Sequence, residues 1–180
     1  MSGAGHAPRL ALVGLRGVGK SAVGRELAAL VGAPFVDLDD EVVPHQAAGD
    51  VLARVGVEEF RRLELAALER VLADRSALVL AAGGGLVETP AARARLAGEV
   101  RCAWLDASDD VLGARIAADA TRRPALLGDD PLAEIAQLRA LRAELYAAVS
   151  VVRVEAHPGE PVEVARRVLR ALSTHDDAKG

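Results

Sequence analysis

The sequence is poor in aromatic residues and cysteine, has only two lysines, and contains no long apolar run. Aromatic residues make up 2% of the 180 positions and the net charge is −4, which excludes a nucleic-acid-binding protein built on stacked rings and a basic surface. The single cysteine, Cys102, excludes an internal disulfide and a cysteine-based zinc site. No apolar run approaches the roughly 18 residues that span a bilayer, and no charged segment precedes a signal-length apolar stretch. We therefore expect a cytoplasmic monomer without membrane or nucleic-acid partners.

The length and the hydrophobic pattern predict one α/β domain over residues 1–180, with frayed ends at 1–8 and 174–180. Five short apolar runs alternate with helical periodicities. The predicted strands are 9–13, 34–36, 77–81, 101–105 and 151–154, and the predicted helices are 20–31, 59–73, a short one after Pro90, 109–118, 132–149 and 162–172. This alternation predicts a three-layer fold, with a parallel five-stranded sheet covered by helices on both faces.

The segment GLRGVGKS follows the first predicted strand and opens an amphipathic helix, which is the context of a phosphate-binding loop. Gly14, Gly17 and Gly19 free the backbone for close approach, so that its amides can surround an anion at a helix N-terminus. Lys20 supplies a compact positive charge to the β- and γ-phosphates. The hydroxyl of Ser21 is a ligand for Mg²⁺. The loop therefore predicts binding of a nucleoside triphosphate.

The loop alone does not identify the reaction. A GTPase that reads guanine needs a second motif containing lysine, and the only other lysine is Lys179 in the polar tail. The chain is too short for an ATP-binding-cassette subunit. Small-molecule kinases and nucleotide-binding modules that have lost catalysis stay open.

Two acids and an oriented arginine lie where a small-molecule kinase needs them. Asp37 and Asp39 end the second predicted strand, where alternation places both carboxylates on one side. One acid near Mg²⁺ and one at the acceptor hydroxyl suit phosphoryl transfer. Arg61 and Glu64 are three residues apart on a predicted helix, so Glu64 can hold a guanidinium that binds a substrate carboxylate in bidentate fashion.

Glycines and further arginines extend this set. Gly83, Gly84 and Gly85 follow the third predicted strand, at the edge where open α/β sheets bind their ligands. Arg123 lies in a polar segment broken by proline, and a loop arginine that closes over the transferred phosphate is a known device of phosphoryl transfer. Arg142 lies on the helix that follows.

Together these residues resemble the shikimate kinase family, from Leu10 to about Leu172. The resemblance includes GLRGVGKS, DLD, EFRRLE, LAAGGGLV followed by TP and Arg93, then Arg115, RRP and LRAELY. It implies a fold like that of the nucleoside monophosphate kinases, with a substrate-binding segment at 40–62 and a lid at 119–130. It also implies transfer of the γ-phosphate of ATP to the 3-hydroxyl of shikimate, on the route to the aromatic amino acids.

The resemblance implies a role for each matching residue. Asp39 would contact the acceptor hydroxyls, and Asp37 would hold Mg²⁺ through water, next to Ser21. Shikimate would lie against Asp39, Arg61, Gly83, Gly84, Gly85 and Arg142. ATP would lie against Gly14, Gly17, Val18, Gly19, Lys20, Ser21, Ala22, Arg115, Arg123 and His157. Lys20, Asp39 and Arg123 would act in catalysis. A kinase for another small hydroxy acid, such as gluconate, and a lapsed nucleotide-binding module are the alternatives.

Overall fold

A computed structural model describes residues 8–42, 44, 46, 48–118 and 131–178. The predicted lid, 119–130, lies outside these residues together with Arg123. Within the described part of the chain, no helix is long and apolar enough to cross a membrane.

The centre of the molecule is a parallel sheet of five strands, as the sequence predicts. The strands are β1 (Arg9–Val13), β2 (Phe35–Asp37), β3 (Leu78–Ala81), β4 (Arg101–Asp106) and β5 (Ser150–Glu155), in the spatial order β2-β3-β1-β4-β5. The three inner strands are almost continuously buried, whereas β2 and β5 are only partly so. Helices on both faces therefore cover the middle of the sheet, which is why its strands are apolar runs without alternation.

Eight helices are described around the sheet. They are α1 (Lys20–Val31), α2 (Leu38–Val42), α3 (Ala48–Val55), α4 (Val57–Ala73), α5 (Pro90–Glu99), α6 (Asp109–Ala118), α7 (Pro131–Val149) and α8 (Pro161–Asp177), with a 3-10 turn at Leu86–Glu88. Helices α1 and α8 pack together beside the sheet. Helices α4 and α7 both contact α5, and α5 and α7 pack against β4, with α7 also reaching β5. The arrangement is the predicted three-layer α/β fold.

The register of the sheet brings three predicted motifs to one edge. Leu12 of β1 and Asp37 of β2 both pair with Ala81 of β3, and Val13 pairs with Trp104 of β4. Since all the strands are parallel, the phosphate loop, the DLD segment and the three glycines all begin at the same level. This edge of the sheet carries the site.

Two sequence predictions need correction. The second strand ends at Asp37, and Asp39 lies in helix α2, so strand alternation does not place the two acids. The last helix continues to Asp177, so residues 174–177 are helical and not frayed. The structure also contains two short helices that are not predicted from the sequence, α2 at the start of the predicted substrate segment and α3 within it.

The segment predicted to bind substrate has a small apolar cluster of its own. Ala48, Val51 and Phe60 are buried together, apart from the main core, with Leu52 and Leu63 packed against them. Burial of this cluster holds α3 against the start of α4, which carries Arg61. The segment is thereby fixed beside the sheet edge without entering the main core.

Candidate active site

The phosphate loop connects β1 to α1 in a backbone path that only glycine allows at Gly14. Its φ is +144°, and a Cβ there would lie 2.3 Å from the carbonyl oxygen of Leu105. The ammonium of Lys20 folds back over the loop and donates to the carbonyls of Gly14 at 2.9 Å and Leu15 at 3.0 Å. The positive charge thus lies over the loop, where phosphates would enter. Gly17 and Gly19 also have positive φ.

The two predicted metal-site residues are in direct contact. The Ser21 hydroxyl donates to Oδ2 of Asp37 at 2.5 Å, and Oδ1 of Asp37 accepts from the backbone N–H of Asp39 at 3.2 Å. These oxygens suit Mg²⁺, which takes one or two protein oxygens and completes its shell with water and phosphate oxygens. Among the described residues, no group of three or more His, Cys, Asp or Glu side chains could hold a metal ion.

The other predicted nucleotide contacts lie around a cavity over the loop. Six of them line it: Gly17, Gly19, Lys20, Ser21, Ala22 and Arg115. Arg115 donates to the carbonyl of Val18 at 3.0 Å and to that of Ala156 at 3.3 Å, so it ties α6 to the loop and to the end of β5. Val18 is buried in the core. Exposed His157 lines an adjoining cavity beside Arg115.

A second pocket, here called the acid pocket, contains both predicted carboxylate-binding arginines, Arg61 and Arg142. Nη1 of Arg61 donates to Glu64, as the spacing predicts. Burial raises the pKa of Glu64 to about 6; Arg61 opposes this, and the charges of Asp39 and Glu88 add to it. Burial also tends to lower the pKa of Arg61, but pairing with Glu64 and Glu88 raises it above its ordinary value. The pocket therefore holds charged groups that compensate one another.

The three glycines line the acid pocket along its floor. At Gly85 a Cβ would lie 1.8 Å from Nη2 of Arg61, so the guanidinium rests on bare backbone. The hydroxyl of Tyr146 donates to the carbonyl of Gly84 at 2.5 Å. Burial raises the pKa of Tyr146, which keeps this hydroxyl protonated as a donor. Tyr146 thus fixes one peptide plane of the floor.

The nucleotide cavity and the acid pocket share a wall. Arg16, Asp39, Gly83 and Gly84 line both of them. Asp39 therefore lies at the boundary, where a hydroxyl bound in the acid pocket would meet a phosphate bound over the loop. Of the predicted site residues in the described part of the chain, Gly14 and Val18 line neither pocket and contact the site through Lys20 and Arg115. His157 lies in the adjoining cavity, and the others line one pocket or both.

Three residues of the site have no role in the sequence reasoning. Arg16 is a variable position of the phosphate loop, Tyr146 occurs only as the last letter of a motif, and Glu88 follows the glycines in an unremarkable turn. Glu88 accepts from Arg142 at 2.6 Å and from Arg61 at 3.3 Å. No periodicity or spacing signals these contacts, because all of them join segments distant in sequence.

The fold and the two adjoining pockets define a phosphate-loop kinase for a small anionic substrate. The family model for shikimate kinase matches residues 16–173. Shikimate kinase from Mycobacterium tuberculosis is 38% identical over 168 residues, which cover 92% of this chain and 94% of that protein. This chain belongs to the shikimate kinase family. Membership implies ATP as the phosphoryl donor and a divalent metal ion.

Solved structures agree with this assignment. The shikimate kinase from Acinetobacter baumannii in complex with shikimate superposes with a TM-score of 0.86 at 29% identity, covering 93% of this chain and 94% of that one. A gluconokinase from Sinorhizobium meliloti gives a TM-score of 0.67 at 21% identity, covering 94% and 93%. The second likeness shows a shared fold alone. It carries no argument for the gluconate alternative.

Proposed function

We propose that this protein transfers the γ-phosphoryl group of ATP to the 3-hydroxyl of shikimate, giving shikimate 3-phosphate and ADP. The observation that carries the proposal is the shared wall between the phosphate-loop cavity and a pocket containing two arginines. Arg61 and Arg142 would bind the single carboxylate of the acid through charge-assisted hydrogen bonds. The ring hydroxyls would then face Asp39 and the glycine floor.

Each step of the transfer can be assigned to a residue of the two pockets. Asp39 would orient the 3-hydroxyl and take its proton as the hydroxyl oxygen bonds to the γ-phosphorus. The bond from that phosphorus to the bridging oxygen of ADP would break. Lys20 would stabilise charge on the phosphoryl oxygens. Mg²⁺, held by Ser21 and through water by Asp37, would neutralise charge on the β- and γ-phosphates.

The arginine of the lid completes the proposal. Arg123, outside the described residues, would reach the phosphates when the lid closes and so act on turnover and not on the binding of shikimate alone. Residues 40–62 would form the substrate-binding part and 119–130 the lid of a single kinase domain.

The substrate can be tested directly by ADP release in a coupled assay. Shikimate, quinate and gluconate are offered separately with ATP and Mg²⁺, and a reaction that contains no acid gives the background rate. Of the three acids, we expect only shikimate to give strong ADP release, because the pocket must match the ring hydroxyls as well as the carboxylate. Preferred turnover of gluconate would favour the other-acid kinase, and no acid-dependent release with any of them would favour the lapsed module.

A further inference from the structure

Glu88 lies in a rigid part of the site edge. It ends the 3-10 turn Leu86–Glu88, whose first two residues are completely buried. Its N–H donates to the carbonyl of Gly85 at 3.0 Å, and Arg93 donates to the carbonyls of Val87 at 2.6 Å and Glu88 at 3.2 Å. The backbone of Glu88 is therefore fixed from both sides.

The Glu88 carboxylate bridges the two arginines of the acid pocket. Oε1 accepts from Nε of Arg142 at 2.6 Å, and Oε2 accepts from Nη2 of Arg61 at 3.3 Å. Each oxygen thus serves a different guanidinium, one from α7 and one from α4.

The bridge lies behind the arginines as seen from the pocket. Both arginines line the acid pocket, whereas Glu88 does not. Arg142 uses Nε for Glu88, and its Nη1 lies 3.7 Å from the Cβ position of Gly84, on the pocket floor. The bridge therefore leaves Nη1 of Arg142 at the pocket floor, where a substrate would lie.

Two partly desolvated guanidinium groups that converge on one ligand repel each other and belong to long, flexible side chains. The side chains of Arg61 and Arg142 are 16% and 5% exposed. A carboxylate between them reduces the repulsion and holds both forks in place before a ligand arrives, which lowers the free-energy cost of binding.

We propose that Glu88 is a positioning residue that sets the affinity of the pocket for the carboxylate of its substrate. It acts through Arg61 and Arg142 and does not itself touch the acid. This inference rests on the proposed function, since it takes shikimate as the acid bound in this pocket.

The test compares Glu88→Ala and Glu88→Gln with the wild type in steady-state kinetics. We expect Glu88→Ala to raise KM for shikimate on the order of tenfold, as the loss of charge-assisted hydrogen bonds implies, with kcat and KM for ATP within about twofold. Glu88→Gln keeps an acceptor oxygen without the charge, so its KM should rise less. The carboxamide analogue of shikimate should show nearly the same KM with the wild type and with Glu88→Ala, because the contact under test is gone.

Glu59→Ala is the matched control. Glu59 pairs with Arg62 three residues away on the exposed face of α4, so this change removes a glutamate–arginine pair outside the pocket and should leave KM unchanged. An unchanged KM in both Glu88 variants would overturn the proposal. A fall in KM would also overturn it, because Glu88 would then compete with substrate for the arginines. An equal rise in KM for shikimate and for its carboxamide would also overturn the proposal, because it would indicate a general structural effect of the substitution. Failure of the wild type to use shikimate would count against the proposed function, which separates the two failures.

Discussion

The two adjoining pockets are built on different principles. The nucleotide side centres on the loop and the start of α1, where backbone groups and the Lys20 ammonium surround the place for phosphate. Asp37, Asp39, Arg115 and the residues that end and follow β3 complete its wall. The acid side is assembled from residues on α2, α3, α4 and α7, from Arg16 and from the turn after β3. The first depends on backbone conformation, and the second depends on side chains that hold one another in place.

This difference affects how each pocket handles charge. Over the loop, the Lys20 ammonium and the backbone amides lie where phosphate would bind. In the acid pocket, Arg61 already pairs with Glu64 and Glu88, and Arg142 pairs with Glu88. The nucleotide side therefore offers strong, localised attraction for phosphate. The acid side offers preorganised arginines, and its affinity for an acid depends on how strongly Glu64 and Glu88 already pair with them.

Removing the loop charge should give the largest effect. Lys20→Ala is expected to reduce kcat on the order of 10³-fold, because the lost charge acts mainly on the transition state. The variant should still fold, since Lys20 lies in the loop and not in the apolar core. Single-turnover phosphoryl transfer, with circular dichroism as the check on folding, measures both. Arg25→Ala, which removes an exposed cation from the same helix, is the control. Turnover of Lys20→Ala near the wild-type rate would disprove the phosphate-loop mechanism.

The boundary residue should separate turnover from binding. Asp39→Asn keeps the shape and loses the charge that orients the hydroxyl and takes its proton. We expect kcat to fall by about 10²-fold, with KM for shikimate little changed. Asp40→Asn, an exposed neighbour on α2, should behave like the wild type. If Asp39→Asn instead weakened shikimate binding at an unchanged kcat, Asp39 would be a binding residue only.

The contrast between the pockets also explains what sequence can predict. Helix α1, β1 and the phosphate loop depend on local spacing and glycine positions, and their predicted bounds are confirmed. The role of Arg61 with Glu64 also follows from spacing within one helix. Residues such as Glu88 and Tyr146 acquire their contacts only when α7 packs beside the turn after β3. No local pattern encodes that juxtaposition, so these residues could not be predicted.

The acid side is tested by one of its arginines. Arg61→Ala should lower kcat/KM for shikimate, and the loss of transition-state stabilisation should be about 2–4 kcal/mol, the range for breaking a partly desolvated charged contact. With the wild type, replacing shikimate by its carboxamide analogue should lower kcat/KM by a comparable factor. With Arg61→Ala the same replacement should lower kcat/KM much less. The measurement is this four-corner kinetic cycle, and Arg62→Ala, an exposed neighbour paired with Glu59, is the control. Additive losses would mean that Arg61 does not contact the carboxylate, and the kinase for another acid would then be favoured.

The smallest expected effect concerns the buried carboxyl behind Arg61, and it appears as a pH dependence of stability. The pKa of Glu64 is raised from 4.5 to about 6, mainly by burial, so the folded protein binds this proton more tightly than the unfolded chain does. The stabilising contribution of this proton is fully present below about pH 4.5 and is lost as the pH rises through about 6. The shift in pKa corresponds to about 2 kcal/mol of stability. Glu64→Gln carries no such proton. The stability of the wild type relative to Glu64→Gln should therefore fall by that amount between pH 4.5 and 7, as measured by urea unfolding. Glu69→Gln, on the exposed face of the same helix, should show a nearly constant difference. If the difference in stability between the wild type and Glu64→Gln were also constant, pairing with Arg61 would outweigh burial and keep Glu64 ionised throughout this range. The charges of the acid pocket would then be fixed independently of pH.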